Sequence, residues 1–467
     1  MQNWMRALAT HYESARHRFP QDRLLLLFDI DGTILDMRYT VQHLLKTYDS
    51  QYGTAYFRSL QLTDINFHED DILDGLRSLG VPQAEHRSIV AWYCRHRWSN
   101  WALFEAHRPF PGVLEVIRWF QVQPGTFVGL NTGRPESTRA ETLASLNRLG
   151  REFRVAFSSE LLQMNRHGPE VPVAEVKAAG VTNYGNSGFR VISVVDNEPE
   201  NLERIAAIDP EREILLLHAS TLFRCRRGQV PGRAIDGKVY DLTQLIPRRA
   251  LPRHIQFVWS GITADGSMEG FLQSNVHWAE LSVAAQSAGD SDPGGIGFRE
   301  ILARLKSEGR GARITLGPDG CPETDRALAA VREAGLEPRS LWFTAALQDL
   351  KSDGFRKLAR SFPGCIVECP IDFLAPLILS APEQAEAILD TFTEWGINRF
   401  ALNRDLPDLR TVLDSIEECG FDFTICGVAG LERFLQSVLL MPRAIVADFR
   451  FHQWEIDEEE IAGRESA

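Results

Sequence analysis

Residues 24–28, Leu-Leu-Leu-Leu-Phe, are an unbroken apolar run that stops at Asp29-Ile30-Asp31-Gly32-Thr33. Such a run is too short to cross a membrane. With no polar alternation it reads as a strand covered on both faces of a parallel sheet, which implies an α/β fold. Asp29 then falls at the carboxyl end of that strand, where open α/β sheets gather their chemistry. A carboxylate placed there must be paired, bind a metal ion, or react.

Two further short apolar strands end in polar clusters. Residues 125–130 lead into Asn131-Thr132-Gly133-Arg134-Pro135, and residues 190–195 lead into Asp196-Asn197-Glu198-Pro199-Glu200-Asn201. A strand-end Asp-Gly turn held by local hydrogen bonds would account for the first cluster alone. The three in this order resemble the motifs of the haloacid dehalogenase superfamily of phosphatases and phosphotransferases. The resemblance implies a Rossmann-like parallel core in which Asp29 attacks phosphorus and forms an aspartyl-phosphate. Asp31 would protonate the leaving oxygen and then activate water, which separates this pattern from a dehalogenase. Thr132, with the backbone around Gly133, would bind phosphate oxygens in an anion nest at a helix start. Asp196 would hold a cation together with Asp29 and the Asp31 carbonyl, with Asn197 and Glu200 orienting it.

The chemistry behind that pattern is general. A carboxylate and a phosphate dianion repel each other, so a divalent cation has to neutralise them. An all-oxygen ligand set with few protein ligands points to Mg2+. The family also carries a lysine that offsets negative charge, a role that falls to Lys177, with Arg151, Arg154 and Arg166 as alternatives.

Between the first two strands lie about seventy residues, too many for one crossover helix. Apolar residues recur at helical spacing: Val41, Leu44, Leu45 and Tyr48, then Ile72, Leu73, Leu76 and Leu79, then Ile89, Val90 and Tyr93. The segment, about 37–110, resembles the α-helical cap of one superfamily branch, and the turn Phe110-Pro111-Gly112-Val113 marks the return to the core. A cap expels water and selects substrate. Arg95, His96, Arg97, Trp98 and Trp101 are its candidate contacts to a leaving group.

A chain of 467 residues suits two domains, and 44% hydrophobic with 24% charged residues is ordinary globular material. A net charge of −13 argues against nucleic acid as a partner. The sequence carries no membrane-length apolar run and no signal-peptide pattern at its start, so the expectation is a cytoplasmic protein. The seven cysteines are scattered, without a Cys-x-x-Cys pair, and read as reduced thiols.

The basic, proline-bounded stretch 247–253 is the expected hinge between a first domain, 1–247, and a second, 252–467. Beyond it, short apolar strands at 255–259, 279–283, 312–316, 341–344, 365–369, 399–402, 423–426 and 445–449 alternate with amphipathic helices. That pattern predicts a (β/α)8 barrel, with a long doubly wound sheet as the alternative. Candidate residues at the strand ends are Glu280, Glu368 and Asp448, with Ser260, Ser282, Thr315, Thr344, Asn403, Arg404 and Arg450 beside them. Through Trp259-Ser260-Gly261-Ile262 and Trp278-Ala279-Glu280-Leu281-Ser282 this half resembles phospholipase C-like and glycerophosphodiester phosphodiesterases and menorin-like proteins. Those enzymes carry a histidine where Ser260 stands and a second acid where Ser282 stands, so the resemblance implies a degenerate barrel. The expectation for the whole chain is a Mg2+-dependent phosphatase acting on a small phosphorylated metabolite, with the barrel as a binding or regulatory module. A bifunctional phosphodiesterase/phosphatase, a phosphotransferase, and a non-catalytic sensor of a phosphorylated metabolite are the rival readings.

Overall fold

The apolar run becomes the central strand of a parallel sheet. In the computed structural model, which describes residues 3–220, 230–246, 251–262, 267–283, 296–449 and 451, Arg23–Phe28 (β1) is buried from Leu24 onward. Each such side chain contributes roughly 1.5–3 kcal/mol on burial, which fixes the backbone that delivers Asp29. β1 pairs in parallel with Thr126–Pro135 (β2) and Phe189–Asp196 (β4). Leu162–Asn165 (β3) lies outside β2, and Leu215–Ala219 (β5) and Ile235–Gly237 (β6) lie outside β4, giving the order β3-β2-β1-β4-β5-β6. This is the Rossmann-like core, and the order reverses at β1, where such sheets open their crevice. Contacts divide the chain into Met1–Ile246 and Pro247–Ala467; residues 247–250 of the expected hinge lie outside the described residues.

One element of the first unit is not read from the sequence above. Helix Trp4–Arg18 (α1) is capped by the Asn3 side chain and buries Trp4, Met5, Leu8 and Tyr12. Trp4 Nε1 donates to the Val239 carbonyl at 2.7 Å, tying α1 to the segment after β6.

The insertion after β1 is helical: Met37–Tyr52 (α2), Ile72–Ser78 (α3), Gln83–His96 (α4) and Asn100–Ala106 (α5). Val41, Leu44, Leu45, Tyr48, Ile72, Leu76, Ile89 and Tyr93 form a core of its own; Leu73 instead faces out. The two chain crossings run side by side. Leu35 bridges Pro109, Asp36 N–H donates to the Arg108 carbonyl at 2.9 Å, and Phe110 N–H donates to the Ile34 carbonyl at 2.9 Å. The chain then enters Val113–Gln121 (α6) through Gly112 at φ 82°, where a Cβ would lie 2.0 Å from the Tyr240 carbonyl oxygen.

β2 departs from the sequence reading. It does not end at Leu130 but runs through the Asn131–Pro135 cluster, with its pairing to β3 shifting register between Asn131 and Pro135. Helix Arg139–Gly150 (α7) starts only after a single 3-10 turn, 136–138. Thr132 and Gly133 therefore lie in an irregular strand end and not at a helix start.

The second unit is a closed barrel of eight parallel strands: Gln256–Trp259 (β7), Trp278–Ser282 (β8), Gly311–Thr315 (β9), Leu341–Thr344 (β10), Ile366–Pro370 (β11), Arg399–Asn403 (β12), Phe423–Val428 (β13) and Ala444–Ala447 (β14). β14 pairs with β7 and closes the ring. Val258, Trp278, Trp342, Ala444 and Val446 pack inside it. Among the described residues, no helix of the chain is long and apolar enough to cross a membrane.

Candidate active site

Three adjacent strands deliver the site. Asp29 follows β1 and is pinned by its own N–H, which donates to the Val195 carbonyl of β4 at 2.9 Å. Asp196 ends β4, and Lys177 stands on Val173–Asn186 (α8), which packs against β2 and β4. The Lys177 ammonium lies 2.6 Å from Asp29 Oδ1 and 2.5 Å from Asp196 Oδ2, and all three side chains are almost wholly buried. α8 is held there by Asn131, whose side-chain amide donates to the Lys177 carbonyl at 2.8 Å. Of the other candidates for this cationic role, Arg166 pairs with Glu136 and Arg151 is exposed.

The electrostatics follow from burial. Burial raises the Asp29 pKa, opposed by Lys177 and reinforced by Asp196 and Asp31. Burial would discharge Lys177, but the two carboxylates outweigh it and hold the ammonium charged. Asp196 Oδ1 is taken by the Glu198 N–H at 2.9 Å and the Asn201 amide at 3.0 Å.

Asp31 sits two residues beyond Asp29 at the edge of the cleft. Arg134 Nη2 and Nε donate to its Oδ1 at 2.6 Å and Oδ2 at 2.8 Å. Burial works to raise the Asp31 pKa, but Arg134 wins and holds it below the usual carboxylate range. Thr132 is buried, and its Oγ1 accepts from the Arg134 N–H at 3.2 Å, which leaves its hydroxyl proton to donate. Gly133 lies against Val173 at the start of α8, where a Cβ would come within 2.8 Å of Val173 Cγ1.

The loop after β4 distributes its residues unevenly. Asn197 is buried against Gly32, where a Cβ would lie 2.5 Å from Asn197 Nδ2, and it accepts from Thr33 Oγ1 at 3.4 Å. Glu200, in Pro199–Ile208 (α9), is exposed, whereas Asn201 and the Glu198 N–H reach Asp196. Glu198 also receives His68 of the cap at 3.0 Å. The cap comes down on the other side as well: Trp98 lies 5.0 Å from the Arg134 guanidinium, and Arg97 pairs with Asp70. His96 stacks on Trp92 and Trp101 packs on His43, inside the cap, while Arg95 is exposed. Arg134, Asn201, His68 and Glu198 are the contacts that spacing did not single out.

The donor set suits a small hard cation. Asp29, Asp31 and Asp196 bring three carboxylates against the two cations Lys177 and Arg134, and an incoming phosphate deepens the deficit. The Asp29 and Asp196 carboxylates and the Asp31 carbonyl are the oxygens that would hold it.

In the barrel, Glu280 and Glu368 are not strand-end residues as read from the sequence: each is the third of five residues in its strand. Ser260, Glu280, Arg313, Thr315, Thr344, Asn403 and Asp448 line a cavity of about 580 Å³. Arg313 binds both Glu280 and Glu368, and its Nη2 lies 3.6 Å from Cys426 Sγ. Burial raises the Glu280 pKa, and Arg313 opposes it. Glu368 is fully buried, and its Oε2 accepts no hydrogen bond among the described residues. Ser282 and Arg404 close their strands as read from the sequence, and Arg450 lies outside the described residues. Six cysteines are free thiols, and Cys225 lies outside the described residues.

No protein-family model matches this chain, and no curated protein matches it. Solved structures do. A HAD family hydrolase from Deinococcus radiodurans with bound phosphate and sodium is similar at 15% identity and a TM-score of 0.29, over 45% of this chain and 82% of that one. A glycerophosphodiester phosphodiesterase from Parabacteroides distasonis is similar at 12% identity and a TM-score of 0.32, over 46% of this chain and 99% of that one. A phosphodiesterase from Oleispira antarctica in complex with sn-glycerol-3-phosphate is similar at 12% and 0.31, over 46% and 98%.

Proposed function

We propose that residues 1–246 are a phosphomonoester hydrolase of haloacid dehalogenase type, dependent on Mg2+. The observation that carries this reading is the burial of Asp29 and Asp196 around one ammonium, Lys177, at the ends of neighbouring parallel strands. Bound Mg2+ would supply charge neutralisation between nucleophile and phosphate. Lys177 and the Thr132 hydroxyl take phosphate oxygens, which orients phosphorus toward Asp29. An Asp29 oxygen then bonds to phosphorus as the bond to the leaving oxygen breaks, and Asp31 hands that oxygen a proton. Because Arg134 holds Asp31 as a carboxylate, the proton arrives with the substrate, whose phosphate has its second pKa at about 6. Water next attacks the aspartyl-phosphate, gives its proton to Asp31, and frees Asp29. The cap closes over these steps and selects a small leaving group.

For the barrel we propose a binding or regulatory role. Ser260 cannot act as an imidazole would, and Ser282 stands where the second acid would be. A metal-dependent diesterase does not fit these residues. The test of the main reading is Mg2+-dependent phosphate release from an activated aryl phosphate by the full chain, compared with Asp29→Asn. Tight binding of phosphorylated metabolites without turnover across a broad panel would favour a sensor instead.

A further inference from the structure

The Arg134 side chain has no exposed surface, and four groups hold its guanidinium. Besides Asp31, it donates from Nη1 to Thr142 Oγ1 at 3.2 Å, meets His107 Nε2 at 3.2 Å, and lies against the Trp98 ring. A guanidinium has donors only, so His107 Nε2 must present its lone pair and the ring proton sits on Nδ1. That N–H donates to Ser145 Oγ at 2.8 Å, and the Ser145 hydroxyl donates to the Leu103 carbonyl at 2.8 Å. Burial and the Arg134 charge push the His107 pKa down to about 3, so the ring stays neutral. The direction of every hydrogen from Leu103 to Asp31 is thereby fixed.

The origin of these groups gives the chain its meaning. Trp98 and Leu103 belong to the cap, Leu103 on α5, and His107 lies on the returning crossing. Arg134, Ser145 and Asp31 belong to the core. We propose that Arg134 is a positioning residue that sets Asp31 for proton transfer while the cap is seated, with Trp98 and the His107–Ser145 chain relaying the cap's position. A guanidinium fork suits this because it fixes the rotation of a carboxylate as well as its distance. The inference rests on the phosphatase reading above.

The test compares two substrates in the full-length protein. p-Nitrophenyl phosphate has a leaving group that needs no proton, whereas ethyl phosphate releases an alkoxide that does. Rates on both are measured at saturating Mg2+ for wild type, Arg134→Lys, Trp98→Ala and Trp98→Phe. Arg134→Lys keeps the charge and loses the fork, and is expected to lower the ethyl rate by about tenfold more than the nitrophenyl rate. Trp98→Ala is expected to shift the ratio the same way by about threefold, the loss of one cation–π contact, and Trp98→Phe to restore it. The ratio does not depend on what fraction of a variant folds. Equal losses on both substrates, or none, overturn the proposal and leave the phosphatase reading intact. Absence of Asp29-dependent turnover in the wild type removes both.

Discussion

Each unit of this chain places a basic side chain between two carboxylates, at strand ends in the first and at the middle of the strands in the barrel, and the two bases do it differently. In the first unit Lys177 touches one oxygen each of Asp29 and Asp196. Its ammonium is a compact charge without a fork. In the barrel, Arg313 spends Nη1 on Glu280 and Nη2 and Nε on Glu368. The fork closes on a single oxygen of each carboxylate, and the buried Glu368 Oε2 accepts no hydrogen bond among the described residues. A compact charge bridges the first pair of carboxylates, and a forked one bridges the second.

The largest effect that bears on this contrast is at the nucleophile. Asp29→Asn should lower aryl phosphate turnover by about a thousandfold or more, since a removed nucleophile is not replaced by its amide. Retention of a hundredth of the wild-type rate would break the covalent reading. Lys177→Met should follow, with turnover down by about a hundredfold, a loss of the kind seen when a group that stabilises developing charge is removed. Arg313→Met should do the reverse: phosphatase turnover per folded molecule unchanged, but unfolding easier by about 3–5 kcal/mol, because the buried Glu368 and the half-buried Glu280 lose their partner. Denaturant titration alongside kinetics separates the two outcomes, and a drop in turnover without a drop in stability would collapse the distinction. In the Asp29→Asn protein, glycerophosphodiesters with added calcium should yield no product by chromatography; hydrolysis there would make the barrel an active diesterase.

The smallest effect concerns the cap. Burial disfavours the charged form of His68, but the Glu198 hydrogen bond and the carboxylates of Glu69, Glu198 and Asp70 outweigh it and push its pKa up to about 9. A pKa raised on folding gives stability that is complete below the unfolded value of about 6.5 and is lost as pH climbs through the folded one. The thermal-midpoint gap between wild type and His68→Gln should therefore be widest below pH 6.5 and narrow toward pH 9 and above. A gap that widens with pH would mean that His68 sits there uncharged.

Much of the architecture was legible because burial writes it in composition. Apolar runs that stop abruptly at carboxylates located β1 and β4, and eight short runs separated by amphipathic stretches located every barrel strand within two residues. Lys177 was legible as a charge in the right interval, although only the structure separates it from Arg151, Arg154 and Arg166. Contacts between distant segments were not legible. Arg134 meets Asp31 across 103 residues, and nothing in either neighbourhood encodes that pairing. The polar string Asn131–Pro135 reads as a turn by composition, yet ladder bonds to β3 carry it on as strand. In the loop after β4, Glu200 and Asn201 differ by one helical step, enough to send one to solvent and the other to Asp196.

The paired crossings at Leu35 and Pro109 carry a consequence for how such a chain can change. The insertion leaves and re-enters the core at one hydrogen-bonded doorway, and beyond it the bundle meets the core again through Trp98 on Arg134 and His68 on Glu198. A different bundle spliced onto the same two posts would keep β1 and β2 paired but would have to supply its own partner for the Arg134 guanidinium. The doorway thus fixes where a bundle attaches, and the residues beyond it fix which bundle fits.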